Sequence, residues 1–177
     1  MPSSVAVHSV HIYEDSEALI SRLCAVVSAS LRSGDSVLII ATAEHRNQLL
    51  RDLQDCGLDV REHAREGRYA MLDARETLAA FMKDGMPDTN LFNAAVGDIL
   101  DGIGGSSRTS EKRLTVFGEM VAVLWEDGKK DAALQLETLW NEALNNRAFH
   151  MHCAYPQGIL TEGDVAAIRS VHSHFVQ

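Results

Sequence analysis

Hydrophobic and polar positions along this chain switch repeatedly between a two-residue and a 3.6-residue rhythm, which predicts a succession of β-α units. Residues 5–13 (VAVHSVHIY) alternate as a strand does. Residues 16–31 then gather Leu19, Ile20, Leu23, Val26, Val27 and Leu31 on one helical face, with Asp15 or Ser16 placed to cap it. After a turn at Gly34-Asp35, residues 37–41 (VLIIA) form an unbroken aliphatic run, the pattern of a central strand covered on both faces of a parallel sheet.

Thr42 can cap a helix whose Leu49, Leu50 and Leu53 face the core and which Gly57 ends. Residues 60–63 read as a short edge strand. Residues 69–72 predict a third main strand, and residues 73–76 resemble a capping box opening a helix through Met82, with Gly85 and Pro87 ending it. From Asp88 a further helix carries Leu91, Phe92, Ala95, Val96, Ile99 and Ile103. Residues 102–110 are loop-like, low in hydrophobicity and expected to be mobile. Beyond them come a strand over 114–117, a short helix holding Trp125, a break at Gly128, and a helix over 131–145. The last of these has a core stripe of Ala132, Ala133, Leu136, Leu139, Trp140 and Ala143. A strand over 149–155 stops at Pro156, and an amphipathic helix is predicted over 161–174. With no internal repeat and no linker, the pattern predicts one α/β domain over residues 1–177, a mainly parallel sheet flanked by helices in three layers.

The chain has 177 residues, and its 46% hydrophobic and 23% charged content is that of a globular protein with a substantial core. Sixteen Lys and Arg against 25 Asp and Glu leave a net charge of −9. That charge disfavours nucleic acid or an anionic membrane as main partner, since both need the opposite sign. Cys24, Cys56 and Cys153 form no C-x-x-C pair, which speaks against a disulfide framework or a four-thiolate zinc site and suits a reducing compartment. No basic leader precedes the first strand, and no apolar run approaches the roughly 20 residues of a membrane span. A cytoplasmic, soluble protein is expected.

Repeated β-α units place the carboxyl ends of the strands along one edge, where open α/β sheets bind ligands. Polar residues gather there: Tyr13 to Ser16, Thr42 to His45, Asp73 to Glu76, Gly118-Glu119 and Tyr155. Ordinary helix capping accounts for them almost as well. A phosphate loop of the form G-x-x-x-x-G-K-[ST] is missing, and Glu14 and Asp15 follow the first strand where an anion would sit, so conventional ATP hydrolysis is not expected. No G-x-S-x-G elbow supports a nucleophilic hydrolase, and Cys153 in an apolar strand reads as structural. The pairs His8/His11, His150/His152 and His172/His174 have ligand-like spacing, but no H-E-x-x-H motif or Cys/His cluster completes a set, so no metal or other cofactor is expected. Glu119, enclosed by VFG and MVAVL, must be paired, protonated or capping a helix; Arg113 and Arg108 are its expected partners, and a structural role is favoured over ligand binding. Trp125 and Trp140 read as core anchors.

Several stretches in order along the chain carry a family resemblance: HSVHIYED (8–15), SGDSVLIIATAEHRNQL (33–49), GLDV (57–60), GRYAMLDARETLAAFMKDGMPD (67–88), FGEMVAVLWEDG (117–128), ALQLETLWNEAL (133–144) and CAYP (153–156). Together they resemble the DcmR-type sensory, or MEDS, domain. The resemblance implies a RecA/KaiC-like fold without a Walker A loop, used as a sensory input module for small organic compounds such as hydrocarbon derivatives. It also implies a histidine kinase or transcriptional regulator as partner. Thr115 stands where the family commonly has arginine, and Arg113, on the same strand face, is placed to compensate. No kinase or helix-turn-helix region lies within the sequence, so the signal is expected to leave through a partner or through self-association.

The resemblance supplies no catalytic set. His8, Tyr13, Thr42, His45, Asp73, Glu119 and Tyr155 match its recurrent polar positions and are the candidate ligand-binding or coupling residues. A non-enzymatic sensory domain is the leading reading. A divergent KaiC-like ATPase and a protein–protein scaffold are the alternatives.

Overall fold

β1 (Val7–Tyr13) runs into α1 (Ser16–Arg32) through Asp15, whose side chain accepts the Glu17 N–H at 2.9 Å and so fixes the helix start. β2 (Ser36–Ala41) follows and is buried along its whole length, as its continuous apolar run predicts. The computed structural model describes residues 6–103 and 112–176. After β2 come α2 (Ala43–Asp55), α3 (Val60–Arg65), β3 (Tyr69–Asp73), α4 (Ala74–Ala79), the short strands β4 (Met82–Lys83) and β5 (Met86–Pro87), and α5 (Thr89–Gly102). β6 (Leu114–Gly118), α6 (Met120–Glu126), α7 (Lys130–Asn146), β7 (His150–Pro156), α8 (Glu162–Ser170) and β8 (His174–Val176) complete the chain.

Six strands form a parallel sheet in the order β3-β2-β6-β7-β1-β8. α1 and α2 cover one face, where Val37, Ile39, Phe117 and Ala154 meet Leu19, Leu23, Val27 and Leu49. The opposite face packs Leu38, Ile40, Val116, Met151 and Tyr155 against α4 to α8. There Phe81, Phe92, Trp140 and Phe149 form a chain of edge-to-face rings with centroids 5.2 to 6.3 Å apart. Gly118 lets β6 and β7 meet closely, since a Cβ at that position would lie 2.7 Å from Met151 Cε.

Three predicted elements are corrected. Residues 60–63 belong to a helix, because the Asp59 carboxylate accepts the Arg61 N–H and starts α3. The helix expected through Met82 ends at Ala79, and the chain turns back as a β4–β5 hairpin around Asp84 and Gly85, both with positive φ, as an Asp-Gly hairpin turn requires. The helix expected to reach His174 stops at Ser170. The chain then becomes edge strand β8, held to β1 by the Ser173 N–H to His8 carbonyl bond of 3.0 Å and by parallel pairing of Ser9 with His174. The loop expected over 102–110 lies, from residue 104 on, outside the described residues. Among the described residues no helix is long and apolar enough to cross a membrane.

Candidate functional site

Three arrangements concentrate chemistry in this fold, and the first lies where the sequence directs attention, at the carboxyl ends of the strands. Glu119, the residue after β6, is buried. One carboxylate oxygen accepts the Thr42 N–H at 2.8 Å and the other meets His45 Nδ1 in a short hydrogen bond. That hydrogen bond raises the His45 pKa against the opposing effect of burial. Arg113, the partner expected for Glu119, pairs instead with Asp35, 3.3 Å away, because it sits at the opposite end of β6. Arg108 lies outside the described residues. Tyr13 stands edge-on to the His45 ring at 6.1 Å, and burial, followed by the Glu119 charge, pushes its phenol upward. Asp73 caps α4 through the Arg75 and Glu76 N–H groups and takes Arg46 at 2.7 Å; the Glu76 N–H holds its carboxyl below the ordinary range.

A second cluster lies inside the α4–α8 layer. Glu137 of α7 is fully buried, and burial alone would raise its pKa, yet His172 and His8 hold it down at about 2. Its Oε2 is 3.1 Å from His8 Nε2 and accepts the Cys153 thiol at 3.3 Å. Oε1 accepts the Tyr155 hydroxyl at 2.7 Å and lies 3.3 Å from His172 Nε2. Both imidazoles are oriented from behind. Asn141 donates its Nδ2 to the Val171 carbonyl, so its Oδ1 must receive the His8 Nδ1–H at 2.8 Å, and the Ile168 carbonyl receives the His172 Nδ1–H at 2.7 Å. Burial pushes the Cys153 and Tyr155 pKa values well up.

The third arrangement is a half-open pocket of about 140 Å³ between α1 and the other face of the sheet. Leu19, Leu23, Val27, Val37, Ile39 and Phe117 make most of its wall. Its polar groups are few: Ser9, His11, Arg22, Thr115 and His152. Ser9 Oγ is hydrogen-bonded to His152 Nδ1 at 2.5 Å, and burial lowers the pKa of both His152, to about 4, and His11. Near neutral pH both rings are therefore uncharged, and the pocket is largely apolar.

A family model for the methanogen/methylotroph, DcmR sensory domain matches residues 7–173. The chain belongs to the MEDS domain family. Among curated proteins none matches it. In three dimensions this MEDS domain is similar to the crystal structure of a KaiC-like protein from the hyperthermophilic archaeon Pyrococcus horikoshii, with a TM-score of 0.61 and 12% identity. That likeness covers 99% of this chain and 71% of the other, and it establishes a KaiC-like fold.

Within the MEDS domain the seven residues singled out from sequence divide into two groups. Tyr13, Thr42, His45, Asp73 and Glu119 stand at the strand ends: Glu119 binds the Thr42 N–H and His45, Tyr13 lies against the His45 ring, and Asp73 caps α4 and pairs with Arg46. His8 and Tyr155 turn their side chains to the α7 face and meet at Glu137. Glu137 was missed by sequence reasoning, although it sits four residues after Ala133 and three before Trp140, inside the apolar stripe, and His172 was weighed only as half of the His172/His174 pair. Arg22 was missed too; exposed itself, it borders the pocket from the edge of the buried α1 stripe, three residues after Leu19.

Proposed function

We propose that this MEDS domain is a non-enzymatic sensory input module that takes a small, largely apolar organic molecule in the pocket beneath α1. It passes the resulting change to a histidine kinase, a transcriptional regulator or a second copy of itself. The pocket carries this reading. Its volume of about 140 Å³ is close to that of an engineered apolar cavity of roughly 150 Å³ that takes up benzene. A few polar groups set on an otherwise hydrocarbon wall are what orients a small guest. The strand-end groups serve a ligand less well, since Glu119 already holds His45 and the Thr42 N–H, and Asp73 already holds Arg46. The membership in a sensory-domain family supports the role, and the absence of G-x-x-x-x-G-K-[ST] from the sequence supports a receptor over a nucleotide motor.

A ligand acts only through a difference in affinity between two states, so binding must leave a conformational trace. Titration with benzene, toluene and short-chain alcohols, followed by methyl NMR of Val27 and Ile39, should shift those signals saturably and raise the melting temperature. Leu23→Trp, which fills the pocket, should abolish both effects. A screen in which no compound moves these methyls, or in which the shifts survive Leu23→Trp, would sink the assignment. Magnesium-dependent ATP turnover that is lost in Glu119→Gln would replace it with the enzymatic reading.

A further inference from the structure

His8, Glu137, Cys153 and His172 come from β1, α7, β7 and the link between α8 and β8, and their donor atoms all lie within 4.8 Å of one another. The orientation of the two imidazoles is informative. Each gives its Nδ1–H to an oxygen behind it, which leaves Nε2 as the ring atom facing the carboxylate, and a neutral ring offers a lone pair there. A buried carboxylate ringed by two Nε2 atoms and a sulfur calls for positive charge, supplied either by protons on the rings or by a metal ion.

A proton joins two of these atoms at most, whereas a metal ion engages all four donors. His172 Nε2 is buried and makes no well-aligned hydrogen bond, although Glu137 Oε1 is only 3.3 Å away. The spacing suits a metal. Bonds of about 2.0–2.1 Å to nitrogen or oxygen and 2.3 Å to sulfur place the ligand atoms of a tetrahedral site roughly 3.3–3.6 Å apart. Here His8 Nε2, Glu137 Oε2 and Cys153 Sγ lie 3.1, 3.3 and 3.4 Å apart, His172 Nε2 lies 3.3 Å from the other carboxylate oxygen, and all four donors fall within 4.8 Å of one another. Neutral imidazoles fixed through Nδ1–H to an outer oxygen are also the usual second layer of a metal site.

We infer that His8, Glu137, Cys153 and His172 bind one divalent transition-metal ion of the zinc class in a closed, four-ligand site. Two imidazoles, one carboxylate and one thiolate are a borderline-soft donor set, which favours zinc over magnesium or calcium. With Glu137 and Cys153 both anionic, the dication leaves the buried site neutral overall, so no net charge is placed in the core. All four positions are filled by protein, which makes the site structural rather than catalytic. Its effect is to pin the segment after α8 to the sheet, through His172. The ligands are far apart in sequence, which is why the spacing of the histidine pairs gives no sign of them.

The test uses the full chain. Protein expressed with added zinc, or refolded with Co²⁺ as the only metal, is assayed for metal content and for absorption. About one equivalent of metal per chain is expected, with a thiolate-to-cobalt charge-transfer band in the near ultraviolet. Cys153→Ser should remove that band. Asn141→Ala, which releases His8 from behind but touches no metal, should weaken cobalt affinity by about 10- to 100-fold while circular dichroism stays unchanged. If Cys153→Ser does not fold, the wild-type spectrum and the Asn141→Ala titration still decide. Metal content well below stoichiometric under both conditions, cobalt bound without the charge-transfer band, a band that persists in Cys153→Ser, or an unchanged affinity in Asn141→Ala would each overturn the site.

Discussion

Glu119 and Glu137 are both buried carboxylates that meet imidazoles, but their surroundings differ in kind. Glu119 receives a backbone N–H from Thr42 and a single ring, His45, at the sheet edge. Glu137 receives side chains alone, from His8, Cys153, Tyr155 and His172, in the middle of the aromatic layer. A main-chain donor is positioned by the fold itself, so the Glu119 bridge follows once β2 and β6 pair. The Glu137 cluster exists only if α7, β1, β7 and the α8–β8 link all dock together. The first is a brace between two neighbours, and the second is a node whose members depend on one another.

Three measurements can break or sharpen this contrast. The largest effect is expected for Glu137→Gln, which removes the charge that the inward-facing histidines and the thiol surround. It should cost about 3–5 kcal/mol, read from the urea midpoint, because a partner is lost inside the core. A cost under about 1 kcal/mol would mean that the cluster is not a node. Glu119→Gln should cost less, about 1–3 kcal/mol, since the amide oxygen can still accept the Thr42 N–H while the charge facing His45 is lost. Equal costs for the two substitutions would erase the contrast.

The smallest effect is the part of the pH dependence that arises at the strand ends. Glu119 raises the His45 pKa above the ordinary 6.5. The folded state therefore holds a proton that the unfolded chain releases, so the bridge contributes fully below about pH 6.5 and is lost as pH rises through the raised value. Urea midpoints of the wild type should fall between about pH 6 and pH 9 by more than those of His45→Gln. Identical slopes would remove this proton from the account.

The same contrast explains what could be read in the sequence. Glu119 stands at the join between a strand and a helix, bounded by apolar residues on both sides, and so calls for a partner on inspection. The partner itself, His45, was legible only as one of several polar groups at strand ends, because a sequence shows which ends share an edge but not which side chains touch. The aliphatic run of β2 and the stripes of α1 and α7 were legible because burial leaves a period. Glu137 hid in such a stripe, where one acid among Ala133, Leu136 and Trp140 reads as noise until three other elements arrive. The pocket beneath α1 leaves no period, being a gap between correctly patterned elements. The β4–β5 hairpin and β8 were hidden for another reason. Two- and three-residue strands carry too few alternations to register, and β8 is fixed by its bonds to β1 rather than by its own pattern.

That terminal strand gives the two faces of the sheet a common tether. Val176 borders the hollow beneath α1, while His172, four residues earlier, closes the ring of donors around Glu137 on the far side. Fully extended chain advances about 3.3 Å per residue, so at most roughly 13 Å of chain separates them. On the proposed reading, a guest that displaces Val176 acts on the stretch anchored at His172, and any coupling between the two ends would be reciprocal.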